Sequence, residues 1–280
     1  MPSIGDRWWQ CPVGGGELVR TPDGRAWACS DGHVFDMAKE GYINLLVSHQ
    51  RRSHSPGDSQ EMVRRRRSFL DQGHYQRLST AVSDAMEALL PSRPGSDPIR
   101  LLDVGCGEGY YSADWSSRFG ARVAGVDIAK PAVRAASKRH GEPGLREYAV
   151  ASAFDLPLPD GWAHGLASVF SPIDTPSFDR VLGPGGVLVT ATPGPRQLWQ
   201  LKANLFAEPE EHPLEPPLPD PDWTVRLQYE IEVEGPGAAG DLLGMTPYVW
   251  YVSPEISGAV EAMTSLTTEA DFIVAGYLRG

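Results

Sequence analysis

The chain has 280 residues, of which 41% are hydrophobic, so it can bury a sizeable core in one large unit with a smaller one attached. A formal net charge of -11 at pH 7 excludes a protein that coats nucleic acid non-specifically, because phosphate contacts need an excess of lysine and arginine. Three cysteines make no disulfide framework, and no apolar run approaches the roughly 20 residues that span a bilayer. We therefore expect a cytoplasmic protein with no membrane partner.

Residues 1–45 predict a small β-rich module at the start of the chain. Glycines and other turn-forming residues are frequent there. Short extended runs at 17–19 and 25–28 flank a turn at 21–24, which is the spacing of short antiparallel strands.

Residues 46–98 predict a second, helical region. Apolar residues recur at helical spacing over 59–70 and again over 78–90, which predicts two amphipathic helices. A proline-containing linker at 91–98 then separates this region from the rest of the chain.

The first of these helices is unusually basic. It belongs to a segment, residues 39–77, with eight basic and four acidic residues, which is where we expect an anionic partner to bind. Met62, Arg66 and Phe69 share one helix face, so we expect Arg66 to make an internal ion pair. The candidates for binding phosphate are the outward-facing arginines and two that precede the helix: Arg51, Arg52, Arg64, Arg65 and Arg67. A solvated helix face is the alternative interpretation.

The third region, residues 99–280, alternates short apolar runs with longer helical stretches. Strands are predicted at residues 100–104, 122–126, 146–150, 165–170 and 187–192. This alternation is typical of an α/β, Rossmann-like fold with a mostly parallel sheet covered on both faces. Beyond the fifth strand we predict helices at 196–206, 238–243 and 254–265, a proline- and acid-rich loop at 208–222, and an antiparallel pair of strands at 224–233 and 272–278.

A glycine-rich turn, Asp-Val-Gly-Cys-Gly-Glu-Gly at 103–109, follows the first of these strands. A dinucleotide fingerprint requires a third glycine where Tyr110 stands, and a phosphate-binding loop requires a Gly-Lys-Ser/Thr that does not follow. What remains is Asp-x-Gly-x-Gly-x-Gly, in which Asp103 can pair with the ammonium of a bound amino acid. S-adenosylmethionine (SAM) carries such an ammonium, so the pattern predicts a SAM site. The turn residues expected to bind the cofactor are Asp103, Gly105, Cys106, Gly107, Glu108, Gly109, Tyr110 and Tyr111.

The ends of the next two strands add to the predicted cofactor site. Asp127, followed by Ile128, ends the second strand about 20 residues after the turn, as recognition of the ribose hydroxyls requires. Ser152 or Asp155, after the third strand, can meet the adenine amino group, and Ala153 lies between them. Each piece alone is equally a tight turn or a solvated acid, but together and in this order they favour SAM.

Several segments resemble one known family more specifically than the glycine turn does. They lie at residues 33–46, 56–62, 69–75, 103–111, 191–196 and 246–248. Over almost its whole length the chain resembles the bacterial 23S rRNA (guanine-N1)-methyltransferases of the RlmA type. The resemblance implies a class I SAM-dependent methyltransferase domain, a zinc-finger-like N-terminal module that helps to hold a 23S rRNA hairpin, and a homodimer.

The resemblance also implies a zinc site, which is incomplete here. The family uses three cysteines and a histidine, and Cys11, Cys29 and His33 match those positions, but Gly14 stands where a further cysteine belongs. A site that lacks one ligand binds zinc weakly unless water or a carboxylate such as that of Asp31 completes it. The favoured interpretation is a module folded without tight zinc, in which packing of three tryptophans, at positions 8, 9 and 27, replaces the metal.

The catalytic residues are not identified by any single motif. Ser171-Pro172 follows the fourth strand, where amino-directed methyltransferases place Asn or Asp, and this difference favours methylation of a ring nitrogen. Guanine N1 carries a proton that an acceptor must remove, and the sequence does not name that acceptor. His74 and Tyr75 are further candidates because they lie in a resembling segment. Candidates for stacking on a flipped base are Tyr110, Phe170, Tyr248 and Trp250.

Two other functions remain open at this stage. A small-molecule methyltransferase of secondary metabolism would share the cofactor turn, and an accessory protein could bind SAM or RNA without turnover. A continuous positive groove from the region of Arg51 and Arg64 to the Gly107 pocket would favour RNA, whereas a closed apolar pocket would favour a small molecule. Related enzymes modify neighbouring guanines, and one of these choices is tied to macrolide resistance.

Overall fold

A mixed sheet of eight strands lies at the centre of the chain. The computed structural model describes residues 8–47, 56–91, 97–139 and 144–279. The strands are β1 (Val19–Arg20), β2 (Ala26–Ala28), β3 (Val34–Asp36), β4 (Ile43–Asn44), β5 (Arg100–Val104), β6 (Arg122–Asp127), β7 (Arg146–Val150), β8 (Ala163–Val169), β9 (Leu182–Pro193), β10 (Trp223–Glu234) and β11 (Ser265–Leu278). The helices are α1 (Gln60–Asp71), α2 (Gln76–Leu89), α3 (Tyr110–Phe119), α4 (Lys130–Ala136), α5 (Thr175–Val181), α6 (Trp199–Leu205), α7 (Ala238–Gly244) and α8 (Pro254–Glu261), with a 3-10 helix at Pro247–Trp250.

The order of strands in this sheet is β10-β11-β9-β8-β5-β6-β7-β4. The strands from β4 to β9 pair in parallel, whereas β11 pairs antiparallel with both β9 and β10. The five predicted strands of the parallel part are confirmed. Because the direction of winding reverses between β5 and β8, the carboxyl ends of β5, β6 and β8 border one crevice, which is where ligands bind in open α/β sheets.

The last third of the chain extends the sheet on one side. β10 pairs with β11 from Trp223 opposite Gly276 to Glu234 opposite Ser265, so the predicted edge strand and its antiparallel partner are confirmed. The helix predicted at 254–265 ends at Glu261, because β11 begins at Ser265. The helix predicted at 196–206 begins only at Trp199, because the residues before it form a turn against β11.

The N-terminal module packs directly on the large domain. β1, β2 and β3 form its own antiparallel sheet, while β4 joins the edge of the main sheet beside β7. The Trp8 and Trp162 rings lie 5.8 Å apart, and the Gln10 amide donates to the Pro157 carbonyl at 2.9 Å. Trp8, Trp9 and Trp27 are all buried, as the packing hypothesis for the module requires.

Of the two helices before β5, α1 covers part of the crevice, where Arg66 and Leu70 border it, and α2 packs on β9, β10 and β11. α1 begins at Ser59, whose hydroxyl accepts from the Met62 amide at 3.2 Å and so satisfies a donor in the first turn. Its buried face, with Phe69 fully enclosed, packs toward the sheet. Of the helices within the described ranges, none is long and apolar enough to cross a membrane.

Candidate functional site

A cavity of about 700 Å³ opens at the carboxyl ends of β5, β6 and β8. A volume of this size is typical of small-molecule and cofactor sites. Ten residues predicted from the sequence to bind SAM line it: Gly105, Cys106, Gly107, Glu108, Tyr110, Tyr111, Asp127, Ile128, Ser152 and Ala153. We call this half of the cavity the cofactor end.

The glycine turn approaches the end of β8 closely at Gly105. Its φ of 71° lies in the left-handed region, and a Cβ there would lie 2.3 Å from the Ser171 hydroxyl oxygen. Only glycine fits both the conformation and the space. The Ser171 oxygen is itself buried and has no hydrogen-bond partner among the described residues, so a polar ligand group can satisfy it.

Asp127 holds the turn from the neighbouring strand. Its Oδ2 accepts from the Gly107 amide at 2.9 Å, and its Oδ1 accepts from the Ala129 amide at 2.7 Å. Burial raises the pKa of this carboxyl, and the two amide bonds oppose that rise. The carboxylate is therefore oriented at the cavity wall with further acceptor capacity for ribose hydroxyls.

Asp103 and Gly109 are not among the residues that line the cavity, so the contact between Asp103 and an ammonium stays a prediction. Asp103 is fully buried beneath the turn, where Oδ2 accepts from the Ser112 hydroxyl and Oδ1 has no partner among the described residues. Burial raises its pKa to about 7. Asp103 therefore supports the turn from within, and Gly109 is packed against Ala136 of α4.

Glu108 is a second buried acid of the turn, and it does reach the cavity. Its Oε2 accepts from Arg139 Nε at 3.0 Å, while its Oε1 has no partner within the part of the chain that the structure describes. Burial raises the pKa of Glu108, and Arg139 opposes that rise. A buried acceptor left over in this way fits a ligand that carries a hydrogen-bond donor such as the SAM ammonium.

A cover over the cofactor end is built from α1 and the segment after α7. Arg66 pairs with Asp58 and also donates to the Met245 carbonyl at 3.0 Å. The predicted internal ion pair of Arg66 is thus confirmed. Its position over the cavity was missed, because the pairing with Met245 joins residues that lie 179 positions apart.

The opposite half of the cavity, which we call the substrate end, is organised by Tyr75. The Tyr75 hydroxyl is buried and accepts from Gln197 Nε2 at 2.7 Å, while Gln197 Oε1 accepts from the Asp271 amide at 2.7 Å. Burial raises the pKa of Tyr75, so the hydroxyl keeps its proton at neutral pH. That proton has no acceptor among the described residues and is free to be donated into the cavity.

Ser171 and Pro172 line this end beside Phe170. Phe170 has a φ of 53° and is 45% exposed, an unfavourable combination for an aromatic residue that is typical of functional sites. His74, in contrast, does not line the cavity. Its ring stacks on Phe69 at 4.7 Å, so the structure corrects the prediction that His74 has a catalytic role.

His212 is a cavity residue that the sequence did not reveal. It lies in the predicted proline-rich loop, and its Nε2 is 3.2 Å from the Tyr248 hydroxyl oxygen. Its backbone amide donates to the Pro195 carbonyl at 3.2 Å, which holds the loop against the turn after β9. A lone histidine in a loop without periodicity carries no sequence signal, so only the fold brings it to the site.

A basic groove adjoins the cofactor end. It has a volume of about 700 Å³, and Ile128 lines both the groove and the cavity. Its basic side chains are Arg64, Arg67, Lys130, Arg134 and Lys138. The groove therefore places basic side chains next to the cofactor end of the cavity.

The predicted phosphate-binding arginines take different positions. The Arg64 side chain is 60% exposed and pairs with Glu61, an exposed pair of a kind worth about 0–1 kcal/mol that a phosphate can replace. Arg65 is only 22% exposed and is held by Glu61, Glu261 and the Gly240 carbonyl, which corrects its expected outward orientation. Arg67 lies 3.8 Å from Glu108 at the groove wall.

Two other predicted phosphate-binding residues, Arg51 and Arg52, lie outside the described residues.

Cys11, Cys29 and His33 meet in the N-terminal module. Their ligand atoms lie within 4.8 Å of one another, with His33 Nδ1 at 3.6 Å from Cys11 Sγ and 3.3 Å from Cys29 Sγ. This set fits three positions of a tetrahedral zinc site. A Cβ at Gly14 would point at this corner of the module, 2.6 Å from a carboxylate oxygen of Asp31, which is not one of the three grouped ligands. The incomplete zinc site remains a prediction.

Two family profiles match the chain. Residues 9–54 match the zinc-ribbon family described as RlmA, N-terminal. Residues 102–171, which contain the glycine turn and Asp127, match the family described as a methyltransferase domain.

Three relatives resemble the chain over most of its length. A putative 23S rRNA (guanine-N(1)-)-methyltransferase of Micromonospora griseorubida is 35% identical over 205 residues, which cover 69% of this chain and 68% of the relative. The 23S rRNA (guanine(748)-N(1))-methyltransferase of Streptomyces fradiae is 35% identical over 70% of this chain and 66% of its own. A putative 23S rRNA (guanine-N(1)-)-methyltransferase of Bacillus subtilis is 25% identical over 95% of this chain and 96% of its own.

The close approach at Gly105 predicts a specific loss of cofactor binding. Gly105→Ala should weaken SAM binding by at least about 100-fold in calorimetry, because relieving the clash with Ser171 costs several kcal/mol in a packed wall. Gly120→Ala is the matched control, since Gly120 has a similar φ of 57° but open space around its Cβ position. Equal SAM affinity in the two variants would contradict this account of the turn.

The incomplete ligand set predicts weak zinc retention that one residue can restore. Gly14→Cys should keep zinc through dialysis against a chelator that strips the wild-type protein, because it supplies the fourth ligand, a third thiolate, once the exposed Asp31 side chain rotates away. Metal content is read by elemental mass spectrometry. Thr80→Cys, on the exposed face of α2, controls for an added thiol. If the wild type and both variants retained zinc equally, the wild-type site would already be complete.

Proposed function

Because the chain belongs to the family of 23S rRNA (guanine-N1)-methyltransferases, we propose that it transfers a methyl group from SAM to N1 of a guanine in a 23S rRNA hairpin. One observation supports the proposal beyond family membership: a groove lined by basic side chains adjoins the cofactor end of the cavity, and Ile128 lines both. A small-molecule methyltransferase needs the cavity but not the groove. An RNA methyltransferase needs both, because phosphates must be held while one base enters the cavity.

The cofactor end supplies position rather than covalent chemistry. Bound SAM provides a methyl group on a positively charged sulfur, which reacts when the nucleophile lies in line with it. Asp127 is oriented for the ribose hydroxyls, and Glu108 offers a buried acceptor for the ammonium. The glycine turn lets the backbone come close, while the cover formed by Arg66 and Asp58 limits access of water.

The substrate end is suited to a planar base. Phe170 and Tyr248 line it with aromatic rings, on which an extruded guanine can stack. The Tyr75 hydroxyl is positioned by Gln197 and keeps its proton, so it can donate to the guanine O6 and stabilise negative charge there. N1 lies on the Watson–Crick edge, so the target guanine must be unpaired when it reacts.

Outside the cavity, Trp250 and Tyr251 are 68% and 77% exposed and lie two and three residues after the cavity residue Tyr248. Exposed aromatic rings of this kind can stack on nucleotides that flank the target. The N-terminal module is connected to the groove by β4 and Leu46, since Asn44 of β4 and Leu46 line it. A homodimer remains an expectation from the family resemblance.

The modification itself is tested by reverse transcription of 23S rRNA from cells with and without the gene. N1-methylguanine cannot form a Watson–Crick pair, so a strain that carries the gene should show one strong stop in a hairpin loop that the deletion strain lacks. Complementation with the Gly105→Ala variant should not restore the stop. Identical stops in both strains would remove the rRNA proposal.

The basic groove predicts a salt-dependent loss of RNA affinity. Replacing Arg64 and Lys130 by glutamine should weaken hairpin binding and lower the slope of log affinity against log salt by about 1.5, since each lost phosphate contact contributes about 0.7–0.9. SAM affinity should not change, because neither residue lines the cofactor cavity. Arg67 stays unchanged in this variant because its Nε lies 3.8 Å from the carboxylate of Glu108, a residue of the cofactor end.

Arg118→Gln serves as the control for this experiment. Arg118 lies on α3, outside the groove, where it pairs with Asp84 at 2.8 Å and with Glu87. A salt slope that is equal in the groove variant and in this control would contradict the assignment of the groove.

A further inference from the structure

Transfer of a methyl group to guanine N1 requires a group that takes the N1 proton, and we infer that His212 is that group, held in orientation by Tyr248. The inference rests on the proposed function. In the reaction the bond between guanine N1 and the methyl carbon forms as the bond between that carbon and the SAM sulfur breaks. The electron pair of the N1–hydrogen bond stays on the guanine when the proton leaves. The proton passes to the imidazole, so the positive charge that leaves the sulfur is balanced by an imidazolium.

The carboxylates that line the described part of the cavity are committed elsewhere. Asp58 pairs with Arg66, and Glu108 pairs with Arg139. Asp127 accepts two backbone amides and belongs to the ribose position. All three lie at the cofactor end, on the elements that carry the turn and its cover, and not around the substrate end.

The tyrosines of the cavity are not proton acceptors at neutral pH. Burial raises the pKa of Tyr75, Tyr110, Tyr111 and Tyr248, so each hydroxyl stays protonated and acts as a donor or as a neutral acceptor. Ser171 is a still weaker base. Among the described residues that line the cavity, this leaves the imidazole of His212 as the neutral nitrogen base.

The 3.2 Å contact between Nε2 and the Tyr248 oxygen is compatible with either ring tautomer. The proposed role requires the tautomer in which Nε2 donates to the Tyr248 oxygen, since the lone pair is then on Nδ1. Nδ1 has no hydrogen-bond partner among the described residues, and it is not fully buried. Nδ1 is therefore accessible on a ring that lines the cavity, and the half-buried ring can pass its proton on to solvent after each turnover.

The charges around His212 keep the ring neutral. Burial lowers its pKa, Lys202 of α6 lowers it further, and Asp271 of β11 opposes them. Both of these neighbours are engaged: Lys202 donates to the Glu210 carbonyl, and Asp271 is paired with Arg226. The other charged groups near the ring include Glu210 and Glu211 on the loop itself and Arg196, which is paired with Glu269; the loop also carries Glu208, Glu215, Asp220 and Asp222.

The test is single-turnover methylation of a 23S rRNA hairpin over a range of pH. His212→Gln should lower the rate constant by about 100-fold, the usual contribution of a general base, while the affinities for SAM and RNA stay at wild-type values. The wild-type rate should fall as the pH is lowered through the pKa of His212. The variant rate should instead rise steadily with pH, because guanine N1 then loses its proton without help.

A matched control separates this role from general effects of histidine titration. Burial also lowers the pKa of His74, but His74 lies outside the cavity, so His74→Gln should keep the wild-type pH profile. Tyr248→Phe should lower the rate less than His212→Gln does, because the base remains but is less well oriented. Free imidazole should restore part of the rate of His212→Gly, which a purely structural role would not allow.

The outcomes distinguish the inference from the proposed function. If the wild-type protein forms no N1-methylguanine in the hairpin, the proposed function fails. If the wild type is active and His212→Gln keeps its rate and its acidic limb, His212 is not the base. Loss of SAM or RNA affinity equal to the loss of rate would also overturn the inference, because it would mean that His212 only shapes the loop.

Discussion

The hydrogen bond from the Gly107 amide to Asp127 joins the glycine turn to the end of β6, and the cofactor site depends on it. The same turn is locked to the end of β8, because Gly105 leaves no space between its backbone and Ser171. Three parallel strands are thereby held in one arrangement at the point where the direction of winding reverses. Cofactor residues carried by different strands can then act together without a mobile loop between them.

The substrate end depends on a different part of the sheet. Asp271 of β11 is fully buried, and its carboxylate accepts both arms of Arg226 and the Arg196 amide, which offsets the cost of enclosing a charge. Its own backbone amide holds Gln197, which in turn holds Tyr75. The parallel strands therefore position the residues of the cofactor end, whereas the antiparallel extension positions Tyr75 at the substrate end.

Sequence patterns predicted those parts of the site whose residues follow one another at a defined spacing in the sequence. The turn at 103–109 and Asp127 were predictable because a strand end, its glycines and the acid of the next strand follow at defined spacing. His212 was not, since it reaches Tyr248 only after β9 and α6 have brought its loop back over the sheet. The predicted outward orientation of Arg65 was wrong, because a helical pattern does not reveal how α1 packs against other helices. Arg65 is held there by Gly240 of α7 and Glu261 of α8.

The central claim is that this cavity methylates N1 of guanine in 23S rRNA. The most direct measurement incubates the purified protein with unmodified 23S rRNA and SAM carrying a deuterated methyl group, followed by mass spectrometry of the nucleosides. The account predicts labelled 1-methylguanosine as the labelled product. Label in N2-methylguanosine, in another base, or in none would contradict it.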